Sequence, residues 1–367
     1  MNYRIVAVAA AVIMCGAVVA QSQDNNPSEQ RALDTARSAF WFGQQDQAEG
    51  ARPYAPFVLA FVPGLQFPFG RYDTSFCAAY IGALTYDVNG MAAAGVFDLS
   101  RDVNGLQAAG VFGMAEKVHG LQASGVFSMA RSLEGFQGAG VFNMVKDADS
   151  SFQGAGVFNI AGSINGVQVA GVFNVARTVK GAQIGVFNFA DHIDGVQIGL
   201  INIARNGVAG LTLVYEPSTD YVFTYWQTGT PWLYTVIGAS APRNDWFYSA
   251  DQALFSFGFG SRMGGRGLYL DADVSVEEPV GKLVDQGLSS GCSDSTNPWT
   301  TPYPSARLSV GIPLAGRVHL VGGLKLDIDL LDHPGVPLAL KAGRPFSDTW
   351  FGVPFDAYAN WFFGIRM

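Results

Sequence analysis

A short repeated unit fills the chain from Gly90 to Asn206 and constrains the fold more than any other feature. The pattern Gly-x-Gln-x-Ala-Gly-Val-Phe-Asn-x-Ala recurs about eight times at a spacing of mostly 15 residues, for example as GVQVAGVFNVARTVK from Gly166. A degenerate copy, SFCAAYIGALTYDVN, begins at Ser75. A period this short indicates that one strand-sized unit was copied, so the fold has to be built from similar strands placed side by side.

Each copy alternates between two kinds of side chain. In the copy from Gly166, one face of an extended strand carries Val167, Val169, Gly171, Phe173 and Val175, and the other carries Gln168, Ala170, Val172, Asn174 and Ala176. The alternation runs for about ten residues, which is the length that a tilted β-strand needs to cross a bilayer. The pattern therefore predicts a strand with an apolar face and a face of small or amide side chains.

Two sets of residues recur at fixed places in the copies. The amides are expected to line a lumen or to bond to one another across neighbouring strands, although they could also bind sugar hydroxyls. The aromatic residues are expected to face lipid. The amides are Gln107, Gln122, Gln137, Gln153, Gln168, Gln183, Gln197, Asn143, Asn159, Asn174, Asn188 and Asn202, and the aromatic residues are Phe97, Phe112, Phe127, Phe142, Phe158, Phe173 and Phe187.

The repeat is compatible with two architectures. In a barrel each copy is one antiparallel strand, whereas in a β-solenoid each copy is one coil and equivalent side chains stack into ladders. An aliphatic residue recurs in the joints, at Val118, Leu133, Ile164, Val179 and Ile193, and favours the solenoid because a bare turn would not need it. The unbroken alternation favours the barrel, since a coil of about 15 residues has sides of only about five.

The start of the chain is typical of an exported protein. Arg4 precedes an apolar run from Ile5 to Val19, and the small residues at 18–20 suit a signal peptidase. We therefore expect a cleaved signal peptide over residues 1–20, a polar lead-in over 21–53, a repeat-bearing β region over 54–206 and a C-terminal β-barrel region over 207–367. No later apolar run reaches the ~20 residues of a membrane-spanning helix, so strands would have to make any membrane contact.

The C-terminal region alternates without repeating. Leu268, Val274 and Val276 fall on one face of a strand, and Asp271 and Asp273 fall on the other. A charged face opposite an aliphatic one is what a barrel wall between lipid and a polar interior requires. The last residues, ANWFFGIRM, alternate up to Met367 and resemble the C-terminal strand that outer-membrane barrels present to their assembly machinery.

Composition and motifs argue against several functions. The formal charge is −8, which gives no reason to expect nucleic acid as a partner, and charged residues are only 14% of the chain. The four histidines fall in unrelated contexts and none has the spacing of a metal ligand. We therefore expect no enzyme activity, catalytic residue, cofactor or metal. Cys77 and Cys292 remain after signal cleavage, and nothing in the sequence brings them together as a disulfide.

The repeat and the segment after it resemble a known family. GVQIGLINIA at Gly195 to Ala204, and WFYSADQALFSFGFGSRMGGRGLYLDADVSVEE at Trp246 to Glu278, are similar to bacterial surface-repeat proteins of spirochaete and Bacteroidetes type. The resemblance covers roughly Ser75 to Glu278. It implies an outer-membrane or cell-surface placement and supplies no catalytic residue.

Together these patterns predict an all-β outer-membrane protein. The favoured fold is an antiparallel transmembrane β-barrel of roughly sixteen strands that include the repeats, acting as a structural wall or passive pore. The alternative is a surface-exposed repeat β-solenoid joined to a smaller C-terminal β-barrel and acting as a binding or adhesion module. The expected partners are outer-membrane lipid and the barrel-assembly machinery, with surface glycans or host molecules for the solenoid.

Overall fold

The structure is a computed structural model that describes residues 52–244, 253–265, 267–279, 302–316, 318–330, 341–350 and 352–367. Within it, Pro53–Met367 form one compact unit. The predicted signal peptide, nearly all of the predicted lead-in, and Cys292 lie outside the described residues.

The described residues form 22 strands in two sheets, with no mixing of strands between them. The first sheet contains β1 (Tyr54–Val62), β2 (Leu65–Phe67), β3 (Asp73–Ala79), β4 (Gly82–Leu84), β5 (Asp87–Ala94), β6 (Phe97–Ala109), β7 (Phe112–Ser124), β8 (Phe127–Ala139), β9 (Phe142–Ala155), β10 (Phe158–Ala170), β11 (Phe173–Ile184), β12 (Phe187–Ile198) and β13 (Ile201–Ala204). The second contains β14 (Val208–Glu216), β15 (Tyr221–Gly229), β16 (Tyr234–Pro242), β17 (Leu254–Gly264), β18 (Tyr269–Pro279), β19 (Tyr303–Ala315), β20 (Val318–Leu330), β21 (Phe346–Trp350) and β22 (Val353–Arg366).

The first sheet is a β-solenoid of about ten coils. From β3 onward its strands pair in parallel and in register, so Phe97 lies beside Phe112, and Gln107 beside Gln122. One repeat therefore makes one coil, and equivalent residues stack along the solenoid. The short β2 pairs with β1 in the antiparallel sense at the N-terminal end.

Each coil turns at three corners. In the coil of β7 the positions that face the interior are Gly113, Ala115, Val118, Gln122 and the half-buried Ser124, whose hydroxyl contacts that of Ser128. Successive inward residues on one flat strand are two apart, so the three-residue step to Val118 and the four-residue step to Gln122 mark changes of direction. Another four-residue step, across Gly125 and Val126, leads to Ser128 in the next coil. A coil is therefore a triangle with sides of about five residues, as the solenoid interpretation required.

The favoured prediction, that the repeats are antiparallel strands of a sixteen-strand transmembrane barrel, is wrong. The repeats pair in parallel, and the sequence alternation crosses a corner without a break. Ala170 and Asn174 both point inward, four residues apart, and an even step keeps the period-two pattern in phase. Val172, which the alternation assigned to the amide face, is 39% exposed at this corner.

The aliphatic residues of the joints form the solenoid core, as the alternative architecture predicted. Val118, Leu133, Ile164, Val179 and Ile193 are all buried in one apolar cluster. The alanines that end the repeat motif pack beside them, at Ala115, Ala130, Ala161, Ala176 and Ala190. Burial of this continuous column is the main apolar contribution to solenoid stability, because a single coil cannot cover its own inner face.

The second sheet is antiparallel and closes on itself. The pairings run β14-β15-β16-β17-β18-β19-β20-β22, and β22 also pairs with β14 through Thr212↔Arg366 and Tyr215↔Phe363. These eight strands form a small barrel, and β21 extends it by pairing with the beginning of β22. The C-terminal part of the chain thus matches the alternative fold. Among the described residues, no helix is long and apolar enough to cross a membrane.

Candidate functional site

The small barrel carries its charges inside and its apolar side chains outside. Along β18, Asp271, Asp273 and Glu277 are buried in the interior, whereas Val274 and Val276 point outward and are exposed. The exposed side chains on the other strands are also large and apolar, and include Leu211, Leu213, Phe255, Phe259, Leu308, Val310, Leu324 and Trp361. A barrel surrounded by water has the opposite distribution, because burial of apolar side chains drives its folding.

Most of the interior charges are paired in three groups, which leave out the buried Glu216 and Asp329. Nearest the end of β22, Asp271 accepts hydrogen bonds from Arg262 Nε at 2.7 Å and from Arg366 Nη1 at 2.7 Å. Asp273 accepts one from Arg307 Nε at 2.9 Å. Buried carboxylates of this kind are tolerated because each has a cationic partner at hydrogen-bond distance.

The third group surrounds Lys325. Its Nζ lies 3.0 Å from Glu277 Oε2 and 2.9 Å from Asp327 Oδ1, and Tyr303 donates a hydrogen bond to the same Glu277 oxygen at 2.9 Å. Asp271 and Asp273 thus point to the interior, on the charged face that the alternation predicted for their strand, and Lys325 and Asp327 are buried in the same interior.

Large side chains fill the barrel between these ion pairs. The Arg307 guanidinium stacks over the ring of Tyr225 at 3.7 Å, and Lys325 Nζ lies 4.3 Å from the centre of the Phe223 ring. Tyr221, Tyr234 and Tyr303 are also fully buried there. The described interior is therefore a packed core of aromatic and charged groups.

The glutamines of the repeat form one continuous ladder inside the solenoid. From Gln122 onward each Nε2 donates to the Oε1 of the glutamine in the preceding coil, at 2.7–2.9 Å. The ladder begins at Gln107, which donates to Asp98 Oδ1 at 2.7 Å. These amides are at most 1% exposed, so sugar hydroxyls outside the solenoid cannot reach them.

The asparagines form a second ladder whose donor direction is opposite. Each Nδ2 from Asn143 to Asn188 donates to the Oδ1 of the asparagine in the following coil, at 2.7–3.0 Å. Backbone carbonyls fix this direction, because Asn159 Nδ2 also donates to Val169 O and Asn174 Nδ2 to Ile184 O. Most of the buried amide groups are thus satisfied within the solenoid, and the exceptions are the amide oxygens of Asn143 and Gln197, which have no partner among the described residues.

The asparagine ladder ends on the barrel. Asn202 Nδ2 donates to Thr235 Oγ1 at 2.9 Å, and the Thr235 hydroxyl donates to Gly199 O at 2.7 Å. The Thr228 hydroxyl donates to Asn202 O. Sequence reasoning missed these two threonines because threonine is common in strands and nothing in the sequence indicates which barrel residues meet the last coil.

The repeat aromatics lie on an outer side of the solenoid. The rings from Phe97 to Phe173 stack on one another with centroid spacings of 4.8–5.4 Å, and Phe187 lies beside Phe173 in the next coil. Each is only partly buried. Their contact with lipid stays a prediction.

The three outer sides of the solenoid differ in polarity. One side carries charged and polar side chains that pair between or within coils, such as Arg101 with Asp87 at 2.8 Å and Arg205 with Asp191 at 3.0 Å. The other two sides carry the phenylalanine ladder and a row of apolar residues that includes Leu121, Phe136 and Phe152. One side is therefore suited to water, and two present apolar surface.

An open groove of about 810 Å³ runs along one apolar side. Its floor consists of small residues from successive coils, and the larger side chains of Phe136 and Tyr80 lie beside it. The lining residues are Ala78, Ala79, Tyr80, Ala93, Ala94, Gly95, Ala108, Ala109, Gly110, Ala123, Ser124, Gly138 and Ala139. Beyond it, the N-terminal coil exposes a group of aromatic residues, namely Phe57, Phe61, Phe67, Phe69 and Phe76.

Comparison with known proteins does not place the chain in a family. No protein family, curated protein or solved structure matches the chain. The resemblance to surface-repeat proteins stays a prediction. Across the described ranges, no three His, Cys, Asp or Glu side chains are grouped so that they could hold a metal ion.

Proposed function

We propose that this chain is an outer-membrane protein in which the C-terminal barrel is a lipid-embedded anchor and the repeat solenoid is a rigid module attached to it. One observation carries the proposal: the barrel is apolar outside and charged inside. In water this distribution would leave the outer side chains of eight strands without burial, whereas in lipid each is in a favourable solvent.

Closure of the barrel supports the same placement. A strand in the hydrocarbon region has to satisfy every backbone N–H and C=O within the protein, and a ring of strands does so because it has no free edge. The pairing between β14 and β22 closes that ring. The alternation of the C-terminal residues in β22, which resembles an assembly signal, is consistent with insertion as an outer-membrane barrel.

The filled interior favours an anchor over a passive pore. Ion conduction needs a continuous polar path, and here the ion pairs of Arg307 and Lys325 and the buried tyrosines occupy the interior. A binding or adhesion role for the solenoid remains a prediction. The apolar groove and the exposed aromatic group at the N-terminal coil are the surfaces on which that role has to be tested.

The anchor is tested by placing a charge at two depths of the same strand. Leu308 lies in the middle of β19 and Leu314 lies at its end, and both point outward and are exposed. In a lipid-embedded barrel, Leu308→Arg should cost roughly 2–4 kcal/mol and Leu314→Arg roughly 0–1 kcal/mol, because the cost of a charge falls toward the interface. The measurement is urea unfolding of the full chain in lipid vesicles. If Leu308→Arg is as well tolerated as Leu314→Arg, the barrel is not in lipid.

A further inference from the structure

The two ends of the barrel have different connections. At one end the strands are joined through residues 230–233, 265–268 and 316–317. At the other end they are joined through residues 217–220, 243–253, 280–302 and 331–352, the last of which includes β21. One end thus has only short connections, and three of the four connections at the other end are long.

The short-connection end also carries both termini of the barrel. The even number of strands returns the chain to the end at which it entered. Met367 exchanges backbone hydrogen bonds with Leu211, near the start of β14, at 2.9 and 3.1 Å. Outer-membrane barrels keep their short turns in the periplasm and extend their long loops outside the cell.

The solenoid is attached at this same end. Only residues 205–207 separate β13 from β14. Thr228 and Thr235, which hold Asn202 and Gly199 of the last coils, stand on either side of the short connection 230–233. The solenoid is therefore fixed to the end of the barrel that carries the short turns and the C-terminus.

We infer that the solenoid lies on the periplasmic side of the outer membrane and that only the connections at the opposite end of the barrel reach the cell surface. This rests on the proposed function, since it needs the barrel to span the membrane. It departs from the surface-exposed placement expected for a repeat module. The apolar groove would then be accessible to components of the cell envelope and not to host molecules or surface glycans.

The test labels two engineered cysteines with a membrane-impermeant maleimide, in cells that have an outer membrane. Ser218→Cys lies in the 217–220 connection, and Asn165→Cys lies on the polar side of the solenoid; both positions are exposed. The background is Cys292→Ser, which leaves Cys77 as the native cysteine once residues 1–20, with Cys15, have been cleaved off. Cys77 is buried, and burial raises the pKa of its thiol to about 12, so it should not react and serves as the internal control.

Ser218→Cys should be labelled in intact cells, and Asn165→Cys only after the outer membrane is permeabilised. Labelling of Asn165→Cys in intact cells, alone or together with Ser218→Cys, overturns the inference, as does a failure of both to react until permeabilisation. Fractionation and the heat-induced mobility shift of each variant are measured in parallel. A variant that leaves the membrane fraction contradicts the membrane anchor itself. A variant that stays in the membrane fraction with reversed labelling contradicts the periplasmic placement of the solenoid and leaves the anchor intact.

Discussion

At the scale of single residues, one carboxyl departs from the chemistry of the repeat. The position that holds Asn143, Asn159 and Asn174 in later coils is Asp98 in β6. Asp98 is fully buried; its Oδ1 accepts hydrogen bonds from Ser100 at 2.6 Å and Gln107 at 2.7 Å, and its Oδ2 has no partner in the part of the chain that the structure describes. Burial raises the pKa of this carboxyl, and the two hydrogen bonds only partly oppose the shift.

Asp98→Asn should therefore stabilise the chain by about 1–3 kcal/mol at neutral pH, because it removes a buried charge with an unpartnered oxygen. A raised pKa means that the folded state binds the proton more tightly than the unfolded state, so the carboxyl costs stability as the pH rises above its unfolded value near 3.9. The gain from the variant should thus disappear at about pH 3. Thermal unfolding of the full chain at both pH values measures it, and an equal gain at both would refute the electrostatic explanation.

At the scale of one element, a glycine fixes one corner in every coil from β5 to β12 except that of β9. Gly120 has φ of 132°, and a Cβ there would lie 2.2 Å from the backbone oxygen of Gly105 in the preceding coil. The coil of β9 lacks this glycine, and its chain turns the corner through a bulge in which Ser150 takes φ of 47°. The corner thus needs either glycine or an extra residue, which explains why that coil is longer than its neighbours.

Gly120→Ala should cost more than about 3 kcal/mol, because the φ strain adds to a contact with backbone that cannot move away. Gly113→Ala in the same coil is the matched control. Gly113 has no positive φ, the nearest atom to its Cβ position is the side-chain oxygen of Ser124 at 3.0 Å, and Asp98 and Ser128 occupy the same ladder position. It should cost less than about 1 kcal/mol. Equal costs in chemical unfolding would contradict the assignment of this corner.

At the scale of the whole molecule, the barrel caps the last coil of the solenoid. A solenoid ends in a strand whose backbone and side-chain groups need partners, and terminal coils are usually capped for this reason. Here Thr228 and Thr235 of the barrel satisfy the last asparagine. Inside the barrel, Asp271, Asp273 and Glu277 are paired with the barrel's own cations, and aromatic rings pack between these pairs.

The packed interior predicts that the full chain does not conduct ions. In planar bilayers we expect no stepwise conductance, because Arg307 over Tyr225 and Lys325 between two carboxylates occupy the path that ions would take. A general porin added to the same bilayer serves as the positive control. Stable, reproducible steps from the purified chain would restore the passive-pore interpretation that the sequence first favoured.

The sequence alone determined which residues form strands and which side chains in the repeat belong together. The glutamines, the asparagines and the joint aliphatics such as Val118 occupy equivalent positions of one repeated unit, and Asp271 and Asp273 share the charged face of their strand. These features are local, because they follow from period-two alternation and from the repetition of one unit.

Only the tertiary structure decided how those strands pair. The four-residue step from Ala170 to Asn174 keeps the alternation in phase across a corner, so a strand that crosses a membrane and a coil that turns give the same sequence pattern. Parallel or antiparallel pairing is a property of backbone hydrogen bonds between distant segments, and side-chain alternation does not encode it. The contact of Asn202 with Thr235 depends on the strand pairing as well, since it exists only when the last coil is stacked on a closed barrel.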